Sequence, residues 1–171
     1  TTRTMDRTRM LVMGDNHGDE RSLSRVVDAT EGEAFDFVVH TGDITNTSKT
    51  DVRTGVEQLR SIEPHFEALA ERGELVYVYG NRDEEDPETP NRRHVSDGFE
   101  LTPGHRLRSG DSIEVAGQRF TADPDAAGPG DVLVTHHDVQ RHLYNHEARA
   151  YFCGHSHESR QVGRSLNTGY L

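Results

Sequence analysis

Short apolar runs alternate with longer amphipathic stretches along the chain, and each apolar run closes on a cluster of Gly, Asp, Asn or His. Met10–Met13 is the first, ending in Gly14-Asp15-Asn16-His17. A continuous apolar run of strand length predicts a strand buried on both faces. If the backbone stays extended past Met13, Asp15 and His17 project from one face, since side chains i and i+2 of a strand share it. From Asp19 to about Thr30, Leu23, Val26 and Val27 recur at helical spacing between charged residues, predicting an amphipathic helix that Glu31-Gly32-Glu33 ends. Phe35–His40 is a second strand, closing in Thr41-Gly42-Asp43. From Asp51 to Arg72, residues Val52, Val56, Leu59, Ile62, Phe66, Leu69 and Ala70 form a helical stripe, with Pro64 as a kink or a break between two pieces. Leu75–Tyr79 is a third strand, running into Gly80-Asn81-Arg82-Asp83. Strand and helix in this alternation predict a largely parallel sheet that carries its site at the strands' carboxyl ends.

The second half has a different texture. Glu84–Gly98 is charged, rich in Pro and Asn, and aperiodic, as an exposed loop is. Arg106–Arg108, Ser112–Val115 and, after an Ala116-Gly117 turn, Gln118–Thr121 read as antiparallel pieces beginning a second sheet; Asp123–Gly130 is a loop. Asp131–Thr135 is another buried-type strand and runs into His136-His137-Asp138. Val139–Glu147 is a short polar helix or loop. Ala150–Cys153 is a strand that empties into Gly154-His155-Ser156-His157, and Gln161-Val162 with Ser165–Gly169 is compatible with a final hairpin. Thr1–Thr8 is a polar lead-in.

Length and charge narrow the picture. The 171 residues suffice for one domain with a core, so residues 1–171 are expected to form a single domain. No apolar run of ~18 residues and no charged-then-apolar leader occurs, so no membrane association and a cytoplasmic location are expected; the single Cys153 fits a reducing compartment. Acidic residues number 30 against 19 basic ones, for a formal net charge of −11, and Lys49 is the only lysine. Such a surface repels a nucleic-acid backbone, which argues against nucleic acid as partner. The Arg-for-Lys bias resembles proteins of salt-loving archaea, the preferred reading, with a GC-rich genome as the alternative.

Five strands thus deliver Asp15 and His17, Asp43, Asn81, His136, and His155 and His157 to what an α/β fold makes a common edge. Carboxylate and imidazole side chains in this number can hold divalent cations. The order Asp-x-His, Gly-Asp, Gly-Asn-x-Asp, His and Gly-His-x-His resembles the signature of the calcineurin-like metallophosphoesterases, over Asp15 to His157, most of the chain. Asn167-Thr168-Gly169 resembles the Asn-Pro-Gly of a compact bacterial and archaeal phosphodiesterase group within that family, with Thr in place of Pro.

The resemblance implies a four-layer α/β sandwich, two mixed sheets flanked by helices. It implies two metal ions, one held by Asp15, His17, Asp43 and His157, the other by Asp43, Asn81, His136 and His155, with Asp43 bridging. His136 is preferred to His137 because the family's His directly follows the strand. Mn²⁺ is the first expectation, with Fe²⁺, Zn²⁺ or Ni²⁺ as alternatives. A metal-bridging hydroxide would attack a small phosphate ester, most naturally a phosphodiester. Asp43, Asn81 and Arg82 are the expected catalytic residues. Arg82 departs from the pattern, standing where family members carry His or Cys; a guanidinium keeps its proton at working pH, so it can grip a phosphoryl oxygen but is a poor general acid. The rival reading is a non-catalytic binding or scaffold protein on the same fold, against which the complete set of seven ligand positions counts.

Self-repulsion from 30 carboxylates against 19 basic side chains, a net charge of −11, predicts that salt stabilises the fold. The melting temperature is expected to climb from dilute buffer to molar KCl; a flat response would favour the GC-rich explanation of the composition.

Overall fold

The computed structural model describes residues 7–46, 55–80, 83, 101, 103–137, 146–169 and 171. In chain order the elements are β1 (Met10–Met13), α1 (Glu20–Ala29), β2 (Phe37–His40), α2 (Gly55–Ala70), β3 (Glu74–Tyr77), β4 (His105–Arg106), β5 (Ser112–Val115), β6 (Gln118–Thr121), β7 (Val132–Val134), β8 (Ala150–Cys153), β9 (Arg160–Val162) and β10 (Ser165–Asn167). They build a four-stranded sheet in the order β1-β2-β3-β4 and a six-stranded sheet in the order β5-β6-β7-β8-β10-β9. The first is parallel throughout. The second is mixed: β6, β7, β8 and β10 run parallel, with β5 and β9 antiparallel on its edges.

The pleat of β2 shows how the layers form. Phe37 and Val39 point toward the second sheet, where they join Val76, Val78, Phe120, Val132 and Val134 in one buried cluster. Val38, between them, points the other way and packs with Leu23 of α1 and Leu59, Ile62, Phe66 and Leu69 of α2. An all-apolar strand is required here because both faces are covered, by a sheet and by helices. On the far side of the second sheet, Leu133, Tyr151 and Cys153 pack against Ala127 and Ala148. The architecture is an α/β sandwich, with the two sheets packed face to face. Among the described residues both helices lie on the first sheet; Val139 to Asn145, the expected polar helix or loop, lies outside them, as do Glu84–Gly98 and the stretch from Asp51 to Thr54.

Local chemistry explains the element ends. Asp19 caps α1, accepting from Arg21 N (3.0 Å) and from the Ser22 hydroxyl (2.8 Å). At its other end the Thr30 hydroxyl donates to Val26 O (2.7 Å). α2 runs through Pro64 as one helix rather than as two pieces; its apolar face, buried on the first sheet, compensates the hydrogen bond that proline removes. The Ala116-Gly117 hairpin turn has both central residues at positive φ, as a two-residue connection demands.

One expectation is corrected and another extended. β4 is not part of the second sheet: it pairs parallel with β3, matching Val76 to His105, and Leu107 N donates to Tyr77 O (2.8 Å). Leu107, fully buried between the sheets, draws this segment onto the first sheet's edge. The final hairpin forms as expected, but β10 also pairs parallel with β8, and Thr168 N donates to Cys153 O (2.9 Å), a bond that proline at this position could not make. Among the described residues no helix is long and apolar enough to cross a membrane.

Phe120 is wholly buried and meets Phe37 edge-to-face across the sheets, ring centroids 5.0 Å apart. Phe120→Ala is expected to lower unfolding free energy by ~3–5 kcal/mol in urea titration; a change below ~1 kcal/mol would contradict this packing.

Candidate metal centre

Register brings the motifs to one line. Met13, His40 and Tyr77 are direct partners across β1, β2 and β3, and each ends its strand. Val134 likewise faces Phe152, one residue before the end of β8. Beyond the strands the first two loops continue to pair: Asp15 N donates to Gly42 O (3.0 Å), His17 N to Asp43 O (2.9 Å) and Gly18 N to Ile44 O (2.8 Å). Asp15 and His17 are not extended, contrary to the i, i+2 expectation; both are left-handed, with φ of 55° and 48°. Their convergence comes from this tight winding.

Left-handed backbone marks five of the candidate ligand residues. Apart from Ala116 in its hairpin, the non-glycine residues with positive φ among those described are Asp15, His17, Asp43, His155 and His157. Each costs on the order of 1–2 kcal/mol for an L residue, and strain of this kind persists where surrounding bonds over-determine the backbone. Close approach adds to it: a Cβ on Gly154 would lie 2.5 Å from Asp15 Oδ2 and 2.9 Å from the Thr41 hydroxyl, so only glycine lets the β8 loop meet the β1 loop.

Two groups of ligand atoms result. Asp15, His17, Asp43 and His157 each place one within 4.8 Å of the others, and so do His136, His137 and His155. In the first, His17 Nε2 and His157 Nε2 are 2.9 Å apart, and Asp15 Oδ1 is 3.7 Å from each. In the second, His155 Nδ1 is 3.2 Å from His136 Nε2. Asp43 Oδ2 lies between the groups, 3.6 Å from His17 Nε2 and 3.3 Å from His136 Nε2. Asp15, Asp43 and His136 form a buried floor, while His155 and His157 sit on the exposed rim. Asn81 and Arg82 lie outside the described residues.

Residues behind the ligands aim them. Asp15 Oδ2 accepts from His155 N (2.9 Å), stitching the two sheets together. His136 Nδ1 donates to Thr41 O (3.0 Å), which leaves Nε2, on the side of Asp43 and the cluster, as the ring nitrogen available to an ion. His40 is fully buried: its Nδ1 accepts from Gly42 N (3.0 Å), its Nε2 donates to Asn16 Oδ1 (2.7 Å), and Asn16 Nδ2 donates to Ile44 O (2.8 Å). Asp83, equally buried, accepts from Ile44 N (3.1 Å), Thr45 N (2.7 Å), the Thr45 hydroxyl (2.8 Å) and Gly80 N (2.9 Å). Gln58 of α2 clasps the backbone of Asn46, accepting from its N (2.6 Å) and donating to its O (3.1 Å). Sequence reasoning assigned no role to Asn16, His40, Gln58 or Thr41. The available signal was a polar side chain inside or beside an apolar run, as in Val38-Val39-His40.

Electrostatics point the same way. Burial raises the Asp15 carboxyl above its usual range, and the neighbouring Asp43 charge adds to this against opposing contributions from His136, His155 N–H and His157. Burial pulls the His136 imidazole down, but the Asp43 hydrogen bond and charge outweigh it and the net shift is upward. Burial, then the Asp43 charge, push Asp83 up to about 6. Burial, then His136, push His40 down to about 3.

The donor set fits a divalent cation. Asp15 Oδ1 is buried without a hydrogen-bond partner, a costly arrangement unless a cation meets it. Ligands sharing an ion at about 2.1 Å stand about 3.0–3.4 Å apart along a coordination edge, close to the 2.9–3.7 Å separations found here. Mixed oxygen and imidazole ligation suits first-row divalent metals.

Carboxylates and imidazoles converging on the strand ends of an α/β sandwich define a candidate metal centre of hydrolytic type. The chain belongs to the calcineurin-like phosphoesterase family, whose model matches residues 8–159. Among solved structures the fold is similar to that of YfcE, a phosphoesterase from E. coli, at 17% identity and a TM-score of 0.54 over 95% of this chain and 79% of that one. It is also similar to a novel archaeal phosphodiesterase, at 17% identity and a TM-score of 0.52 over 95% of this chain and 84% of the other. A comparison with curated proteins finds no match.

His40 and Asp83 give the metal-free protein a defined pH response. Below 6.5 the unfolded chain takes up a proton at His40 that the folded chain refuses down to about 3, so stability is lost as pH falls across that window. Asp83 acts oppositely: the folded carboxyl is protonated at about 6 and the unfolded one at 3.8, so stability is gained as pH falls between them. At about 1.4 kcal/mol per unit of displacement the larger His40 shift wins. Urea titration of metal-free protein from pH 7 to pH 4 should show wild type losing its advantage over His40→Asn; a constant difference between the two would refute the assignment.

Proposed function

We propose that this protein is a phosphodiesterase acting with two divalent metal ions on small phosphate esters. Asp15, His17, Asp43 and His157 would hold one ion, and Asp43, Asn81, His136 and His155 the other. The observation that supports this most directly is the position of Asp43 Oδ2, within 3.6 Å of His17 Nε2 and 3.3 Å of His136 Nε2, where one carboxylate can serve both ligand groups. When bound, the ion pair supplies Lewis acidity toward a phosphoryl oxygen and brings water to a working pKa. Mn²⁺ is the first choice of metal, with Fe²⁺, Zn²⁺ or Ni²⁺ as alternatives.

The chain's own residues do the remaining work. Asp15 and Asp43 concentrate negative charge on a buried floor, beside which Thr41 orients His136 to offer Nε2 to an ion. His155 and His157 stand at the exposed rim, where an ester can reach them. The attacking oxygen is that of water, so no side chain need carry a covalent intermediate. Arg82 binds a phosphoryl oxygen through its fork of N–H donors and keeps its proton, leaving the departing oxygen to be protonated by solvent. The net charge of −11 disfavours polyanionic nucleic acid, whose many charges it repels more strongly than the one or two of a small ester.

The test is a panel of bis-aryl phosphodiester, aryl monoester, cyclic nucleotide and oligonucleotide presented to metal-reconstituted and metal-stripped protein. Hydrolysis of the diester by the reconstituted protein alone is expected. Asp43→Asn should lose at least one metal equivalent and at least ~10²-fold in rate, the scale of losing one pre-organised electrostatic contact or more. Wild-type protein that retains no divalent metal after reconstitution would overturn the reading.

A further inference from the structure

We infer that His137 is a third imidazole ligand of the second metal subsite, and that this makes the two subsites chemically unequal. The inference rests on the metal-dependent reading above and adds a residue and a metal preference to it. His137 shares a ligand group with His136 and His155, each offering a ring nitrogen within 4.8 Å of the others. Its ring centroid lies 4.4 Å from that of His155 and 5.0 Å from that of His136.

Neighbouring side chains on an extended strand point to opposite faces, so adjacent histidines reach one cluster only if the backbone turns between them. The turn is built in. The Thr135 hydroxyl donates to His137 O (2.8 Å), and the Tyr151 hydroxyl, 2.7 Å from that of Thr135, also reaches His137 O (3.2 Å). Tyr151 is wholly buried on β8, in the cluster with Leu133 and Cys153, so the core itself holds His137 beside His155. The His137 side chain is exposed, on the same rim as His155.

The consequence is a difference in donor chemistry. The first group presents two carboxylates and two imidazoles; the second presents three imidazoles, with Asp43 as the shared carboxylate and, on the reading above, Asn81 as a carbonyl donor. Imidazole suits Zn²⁺ and Ni²⁺, whereas carboxylate suits Mn²⁺. The second subsite is therefore selective for imidazole-preferring ions, and the first tolerates harder ones.

The experiment is competitive titration of metal-stripped protein with Zn²⁺ and Mn²⁺ against a chromophoric chelator, with stoichiometry from elemental analysis. It compares wild type with His137→Phe, which keeps an aromatic ring against His155 but offers no ligand, and with His137→Gln. The expected result is two Zn²⁺ per wild-type chain; both variants keep one site unchanged and bind the other Zn²⁺ ~10–100-fold more weakly, with a reduced Zn²⁺ over Mn²⁺ preference. Two sites of wild-type affinity and preference in both variants would overturn the His137 assignment while leaving the metal-dependent reading intact. Wild-type protein that binds neither ion would overturn both.

Discussion

Two carboxylates buried within a few ångströms of each other, Asp15 and Asp43, set the terms for everything around them. Neither lies in water and one of Asp15's oxygens meets no donor, so the fold carries an electrostatic debt that imidazoles alone only partly offset. A globular domain tolerates such burial when opposite charge arrives with good geometry. The cation that a calcineurin-like phosphoesterase binds is that charge, and the apolar sandwich beneath the site is what makes its electrostatics strong.

Holding the carboxylates in place requires more than strands. The β1 and β2 loops are wound left-handed at the ligands, and that strain is contained by bonds from every side. Asp83 collects four donors from the loops after β2 and β3, His40 and Asn16 tie the first two loops together, and Gln58 anchors the second to a helix. None of these side chains is itself a proposed metal ligand. They act as a frame, and their burial makes the frame rigid enough to keep ligand atoms within coordination distance before any ion arrives.

The site is also a seam. The first sheet contributes Asp15, His17 and Asp43, and the second contributes His136, His155 and His157, so the centre exists only while the two sheets stay packed through Phe37, Val39, Phe120 and Val132. The bonds from His155 N to Asp15 Oδ2 and from His136 Nδ1 to Thr41 O cross that seam. Stability and site geometry are therefore coupled: a loss of packing between the sheets separates the two ligand groups.

The periodicity of the chain alone placed β1, α1, β2, α2, β3 and β5 to β10 within a few residues, because apolar runs covered on both faces and apolar stripes at helical spacing are local signals. The motif order, from Asp15-x-His17 to Gly154-His155-x-His157, named the ligand candidates for the same reason: each is a short pattern at the end of a strand. What the sequence could not carry was the partner of each segment. β4 looked like an antiparallel piece of the second sheet and joined the first instead, where Leu107 found its burial. Asp15 and His17 converge through positive φ rather than through a strand's alternation, and that depends on the backbone bonds to Gly42, Asp43 and Ile44. The roles of His40, Asn16, Asp83 and Gln58, and the grouping of His137 with His136 and His155, arise from contacts between residues far apart in the chain or from a turn set by Tyr151. Such contacts are decided by packing, which only the tertiary structure contains.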